Sequence, residues 1–123
     1  MQRILIASDD EFARELIRLT LVGLGAEVRC SCCGEAMERL CARVLFDLVI
    51  VLRTAPFFCG RETIGRLRPE GLRRPTIYVI SWQQAERTVL SLLECGVDQY
   101  LTFPLSLQRL RAKVADNLTG KCL

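Results

Sequence analysis

Four positions where an apolar run stops carry the side chains with chemical potential. The run "RILIAS" ends on Ser8 and is followed by the carboxylates Asp9 and Asp10. "DLVIVL" ends on Leu52, with Arg53 next. "TIYVIS" ends on Ser81, with Trp82 next. "QYLTF" ends on Phe103, with Pro104 next. In a sheet whose strands these runs would form, the ends where strands finish line the functional crevice, so these are the residues to inspect. Nucleophilic catalysis is poorly provided for. The 123 residues contain no histidine, no glycine-rich phosphate loop is visible, and Ser81 has no evident base. The domain is not expected to be an enzyme, although fold alone does not exclude catalysis.

Seven cysteines form the other reactive set: Cys30, Cys32, Cys33, Cys41, Cys59, Cys95 and Cys122. Their number is odd, and "CSCC" is not a C-x-x-C pair. A disulfide framework needs an oxidising compartment. The opening "MQRILIASDD" meets acids too soon for a secretory signal, so a cytoplasmic protein without such a framework is expected. A zinc site would need thiolates gathered from distant segments. The first reading of these cysteines is small buried apolar residues, with no metal and no cofactor. A cysteine-based redox or small-ligand sensor on the same fold, with Cys59 beside the crevice and Arg53 and Arg61 able to lower a thiol pKa, is the alternative.

The elements that must position these residues alternate. Arg3 to Ser8, Ala26 to Ser31, Asp47 to Leu52, Thr76 to Ser81 and Gln99 to Phe103 read as strands, the third the most hydrophobic and therefore central. After Asp9 and Asp10, in capping position, Phe12, Leu16, Leu19, Thr20 and Leu24 recur at helical spacing, and Gly25 ends that helix. A second helix follows Gly34, with Ala36, Met37 and Leu40 inward. A third passes through Ile64 and Leu67 and stops before Pro69. A fourth runs from about Gln84 to Glu94, with Val89, Leu92 and Leu93 inward. A fifth, from about Ser106 to Leu118, carries Leu107, Leu110, Val114 and Leu118. Helical connections of this length require parallel strands and right-handed crossovers. The expected fold is a single (βα)5 doubly wound, five-stranded parallel sheet over residues 1–123. Its functional crevice lies at the carboxyl ends of the strands, where Ser8, Asp9, Asp10, Leu52, Ser81, Trp82 and Phe103 gather.

These residues resemble the receiver domain of bacterial two-component response regulators, a CheY-like, flavodoxin-like fold, over nearly the whole chain. The matching fragments are "RILIASDDEFAREL", Pro56 and Gly60 after the third strand, Ser81 at the end of the fourth, and "GVDQYLTFP" from Gly96 to Pro104. The resemblance implies phosphoryl transfer to an aspartate, acids that hold Mg²⁺, and a lysine that pairs with the phosphoryl group. The chain departs at those positions. Leu52 stands where the family has the accepting aspartate, Phe103 where it has the lysine, and Ser8 replaces one acid. Trp82 stands where the family has a small residue. The resemblance therefore implies a degenerate pseudo-receiver whose site is plugged by packing, with Ser81 and Tyr100 left at the positions of the family's switch residues.

Such a domain is expected to signal by contact. The resemblance places the contact surface on the fourth helix, fifth strand and fifth helix, where Val89, Leu90, Leu101, Arg109, Arg111 and Lys113 are candidates for binding a protein partner or a second copy. A mild net charge of +3 and the lack of a recognition-helix motif argue against direct nucleic-acid binding. The arginine-rich stretch Arg61, Arg66, Arg68, Arg73 and Arg74 reads as a solvated helix face and loop. No apolar run approaches the ~20 residues of a membrane span.

Overall fold

β-Branched and aliphatic runs become strands wherever both faces are covered, and that condition decides which strand is central. The computed structural model describes residues 2–52, 61–68, 75–81 and 86–120. Its strands are β1 Arg3–Ala7, β2 Glu27–Ser31, β3 Leu48–Leu52, β4 Thr76–Ser81 and β5 Gln99–Thr102. They pair in parallel in the order β2-β1-β3-β4-β5. Every residue of β3 is buried, as a central strand sandwiched by helices requires. β2 lies at an edge and is only partly covered. The helices are α1 Glu11–Thr20, α2 Gly34–Arg43, α3 Arg61–Leu67, α4 Glu86–Glu94 and α5 Leu107–Leu118. This is the doubly wound five-stranded sandwich expected from the alternation of elements.

The two-residue period of the strands divides the core. Leu5, Ala7, Val49, Val51, Ile77 and Val79 face Met37 of α2, Leu67 of α3 and Leu92 of α4. Ile4, Ile6, Leu48, Ile50, Leu52 and Ile80 face Ile17 of α1 and Leu110 and Val114 of α5. The helix starts are capped by local side chains. Asp10 Oδ1 accepts the amides of Phe12 at 2.9 Å and Ala13 at 3.3 Å, and Ser106 Oγ accepts that of Arg109 at 3.3 Å.

Three expectations change. The first helix ends at Thr20 rather than at Gly25, and residues 21–23 form a turn. Its buried side is Ile17 with Leu21, and Phe12, Leu16 and Leu19 are exposed. Helical spacing fits both stripes, because position 17 lies about 140° around the helix from position 12. The sheet takes the stripe that continues into Leu21. In α4, Leu92 is buried whereas Leu93 stays largely exposed. Among the described cysteines, Cys41 packs against the core as the filler reading expects, and the exposed ones depart from it. Cys30, Cys32 and Cys33 are exposed, because they sit at the end of the edge strand and in the turn into α2; Cys41 and Cys95 are half-buried. Cys59 and Cys122 lie outside the described residues.

Candidate functional site

The carboxyl ends of β1, β3 and β4 bring Ser8, Leu52 and Ser81 into one crevice, with Phe103 following β5. Ser8 is buried and fixed from three directions. Its amide donates to the Ser31 carbonyl at 3.1 Å, its hydroxyl accepts the Asp10 amide at 3.1 Å, and its carbonyl accepts Arg14 Nη1 at 2.6 Å. Asp10 is turned toward α1 as its cap, so one carboxylate oxygen is already engaged by two amides. Asp9 is exposed. Among the described residues, the carboxylate oxygens left to bind a cation here are those of Asp9 and the second oxygen of Asp10. Among the described residues, no three cysteines, aspartates or glutamates gather as a metal cluster.

Leu52 is only 5% exposed and belongs to the apolar cluster shared with α1 and α5. Phe103 is half-buried and packs against the same cluster. Its amide donates to the Ser81 carbonyl at 3.1 Å, and its peptide bond to Pro104 is cis. Ser81 is buried and pairs with Thr102, while Tyr100 pairs with Val79 one step back on the same face. Tyr100 packs against the cluster on the α2, α3 and α4 side. The two switch positions thus share one face of the sheet. Arg53, Pro56, Gly60 and Trp82 lie outside the described residues.

A groove of about 350 Å³ runs between β5 and α5, lined by Tyr100, Leu101, Leu105, Arg109 and Lys113. Three of the six expected contact residues are therefore brought together. Leu90 is exposed on α4 beside Arg87 and Glu94, and Val89 is half-buried. Arg111 does not join them: Nη1 donates to the carbonyls of Thr20 at 2.9 Å and Val22 at 2.6 Å, tying α5 to the end of α1.

Three structural arginines were not recognised from sequence. Arg14 holds the Ser8 carbonyl, and Arg111 fastens α1. Arg68, expected on a solvated face, is instead largely buried. It donates to the carbonyls of Pro75 at 2.7 Å and Gly96 at 2.8 Å and pairs with Asp98. Gly96 has φ +115°, and a Cβ there would stand 3.3 Å from Ile64, so the turn that presents its carbonyl to Arg68 favours glycine. Arg14 lies one helical turn from the capping Asp10, a readable signal. The Arg68–Asp98 pair spans 30 positions and has no local one.

The thiols differ in character. Burial pushes the Cys41 thiol up to about 12 from an ordinary value near 9, and the Glu38 carboxylate adds to the rise. Desolvation also raises Cys30, against the pull of Arg14 and Arg18. On the surface of α1, the hydrogen bond from Arg18 lowers the Glu15 pKa.

Comparison with known proteins agrees with this architecture. The response regulator receiver domain model matches residues 4–115. The response regulator protein PmrA of Pseudomonas aeruginosa is 32% identical over 124 residues, a match covering 98% of this chain and 56% of PmrA. The transcriptional regulatory protein DltR of Streptococcus agalactiae is 28% identical, over 91% of this chain and 50% of DltR. The receiver domain of a Francisella response regulator superposes with a TM-score of 0.84 at 20% identity, covering 98% of each chain. The chain belongs to the response regulator receiver domain family. It spans about half the length of these two curated relatives. Among the described residues no helix is long and apolar enough to cross a membrane.

Proposed function

We propose that this receiver domain works as a phosphorylation-independent interaction module, its phosphorylation site replaced by packing. The observation that carries this is Leu52, a hydrocarbon side chain buried at the end of β3 within the same apolar cluster that receives Phe103. Phosphoryl transfer to a receiver requires a nucleophilic oxygen and charge neutralisation around it. Leu52 has no oxygen to attack with, and Phe103 has no charge. Mg²⁺ prefers near-octahedral oxygen ligation. One exposed Asp9 and a half-committed Asp10 do not fit that demand. Burial of a large apolar side chain contributes about 1.5–3 kcal/mol, so the plug stabilises the crevice.

Signalling then passes through contact. The groove between β5 and α5, with Leu101 flanked by Arg109 and Lys113, supports a protein partner with an acidic rim or a second copy of the domain. No cofactor, nucleic acid or membrane is called on, and a cytoplasmic setting suits the proposal. The test is incubation with acetyl phosphate followed by intact-mass measurement, using a phosphotransfer-competent receiver as control. The reading expects no phosphoryl adduct on this chain. An acid-stable or acid-labile adduct in the folded protein would end it.

A thiol sensor is the second reading, favoured by the exposure of Cys30, Cys32 and Cys33 at one corner of the molecule. Slow alkylation of every cysteine in the folded protein would remove it.

A further inference from the structure

Among the described residues, Lys113 is the half-buried cation whose side chain has no partner. Arg14, Arg18, Arg68 and Arg111 are also withdrawn from full exposure. Each of them holds an acceptor: the Ser8 carbonyl, the Glu15 carboxylate, the Gly96 carbonyl and the Thr20 carbonyl, respectively. Outside its helix, Lys113 bonds only through its own carbonyl, which accepts the Tyr78 hydroxyl at 3.4 Å. Arg109 stands one helical turn earlier. Its amide donates to Ser106 Oγ, and its guanidinium holds no acceptor among the described residues. Residues four apart share a helix face, so the two positive charges stand together. A partly desolvated ammonium beside a like charge is unfavourable, and an anion between them relieves both costs.

Both side chains line the groove of about 350 Å³ between β5 and α5, and none of its lining residues is acidic. Leu101, Pro104 and Leu105 give it apolar walls, and Thr102 adds a hydroxyl. Its volume falls near the low end for small-ligand sites, about 300–1,000 Å³. From Ser106 to Lys113 it follows α5 for roughly 10 Å. That length suits a small molecule, whereas a specific protein face needs about 800 Å² on each side. An arginine fork matches a carboxylate or phosphate in two hydrogen bonds, and a lysine adds a point charge beside it.

We propose that the β5–α5 groove binds a small amphipathic anion, its carboxylate or phosphate held between Arg109 and Lys113 and its apolar body against Leu101 and Leu105. This goes beyond the contact reading but shares its groove, so an occupied groove blocks a protein partner there. Binding does not depend on Leu52: a phosphoryl adduct would end the plugged-site reading and leave this one standing.

Amide NMR titrations of the whole chain with 4-phenylbutyrate, 4-phenylbutyl phosphate and the uncharged 4-phenylbutanol test it. The expected result is saturable shifts centred on Thr102, Leu105 and Arg109, with an anion binding at least about tenfold tighter than the alcohol. Binding by one anion and not the other supports the site and fixes its head group. Lys113→Gln weakens anion binding by at least about fivefold and leaves the alcohol unchanged. Arg87→Gln, on α4, has no effect, and both variants keep the parent's circular dichroism spectrum. Absence of saturable shifts with either anion overturns the proposal. So does an alcohol that binds as tightly as the anions, anion binding undiminished by Lys113→Gln, or shifts centred on the exposed α1 residues Phe12 and Leu16. A glutamate-rich peptide that shifts the groove amides where both small anions fail also overturns it, and assigns the groove to a protein partner.

Discussion

At the amino ends of the strands, Asp47 Oδ2 accepts the Arg3 amide at 2.9 Å and Asp98 Oδ2 accepts the Ile77 amide at 2.7 Å. Arg68 adds two backbone carbonyls and Asp98 to that network. At the carboxyl ends of the same sheet, Leu52 and Phe103 present hydrocarbon, and Asp9 faces solvent. Among the described residues, Asp47, Arg68 and Asp98 tie down backbone where strands begin, and Asp10 and Arg14 do so where β1 ends. In a doubly wound sheet, chemistry is expected where strands finish. The contrast separates two ends of one sheet: a satisfied polar network that holds the turns in place, and a crevice in which Leu52 and Phe103 pack as hydrocarbon.

The largest effect should come from the amino-end network. The Arg68 side chain is 14% exposed, so Arg68→Ala leaves the Pro75 and Gly96 carbonyls without this donor and Asp98 with the Ile77 amide alone. A loss of about 3 kcal/mol in urea-unfolding stability is expected. A loss below about 1 kcal/mol would mean that the network is replaceable by water. At the other end, Leu52→Asp should cost about 2–3 kcal/mol, because a carboxylate would be introduced into the apolar cluster. Leu52→Met should cost under about 1.5 kcal/mol. If Leu52→Asp unfolds at the same urea concentration as the parent, the crevice is polar enough for an acid and the contrast fails.

Thiol chemistry gives a smaller, sharper effect. With its pKa pushed to about 12 from about 9, Cys41 holds about a thousandfold less thiolate than an ordinary cysteine at neutral pH, so its alkylation should trail that of Cys32 and Cys33 by at least about a hundredfold. The linkage has a defined sign. Between pH 9 and 12 the unfolded chain loses the Cys41 proton and the folded one keeps it. Stability therefore falls as pH rises through that window, and Cys41→Ala should flatten the fall. Comparable alkylation rates at Cys41 and Cys32 would contradict the burial. The smallest effect concerns Glu15. Arg18 lowers its pKa, so its slight stabilisation is present above the ordinary carboxylate value and is lost as pH falls through the lowered one. Glu15→Gln should reduce that acid-side dependence only marginally in pH-dependent melts, because the pair is solvent-exposed.

Most of the fold was readable because burial on both faces forces continuous apolar runs. "DLVIVL" could only be a central strand, and "TIYVIS" coincides with β4 from Thr76 to Ser81. The capping role of Asp10 was legible from its place between strand and helix. What misled was degeneracy of the helical period: α1 carries two apolar stripes, and only the sheet chooses between them. The exposure of Cys30 was missed because composition does not say that it lies on an edge strand. The crevice residues Leu52, Ser81 and Phe103 were located from the ends of the apolar runs. Arg68 and Arg111 were not, because their acceptors are backbone carbonyls far away in the chain.

The central claim is that the crevice no longer accepts a metal and a phosphoryl group, and the most direct measurement is a titration with Mg²⁺ and beryllofluoride followed by amide NMR. The signals to watch are those of Asp9, Asp10, Ser81 and Thr102, with a phosphotransfer-competent receiver as the positive control. The account predicts no saturable shift at these amides under conditions that saturate the control. Saturable, stoichiometric shifts centred on Asp9 and Ser81 would show an intact anion–metal site and contradict it.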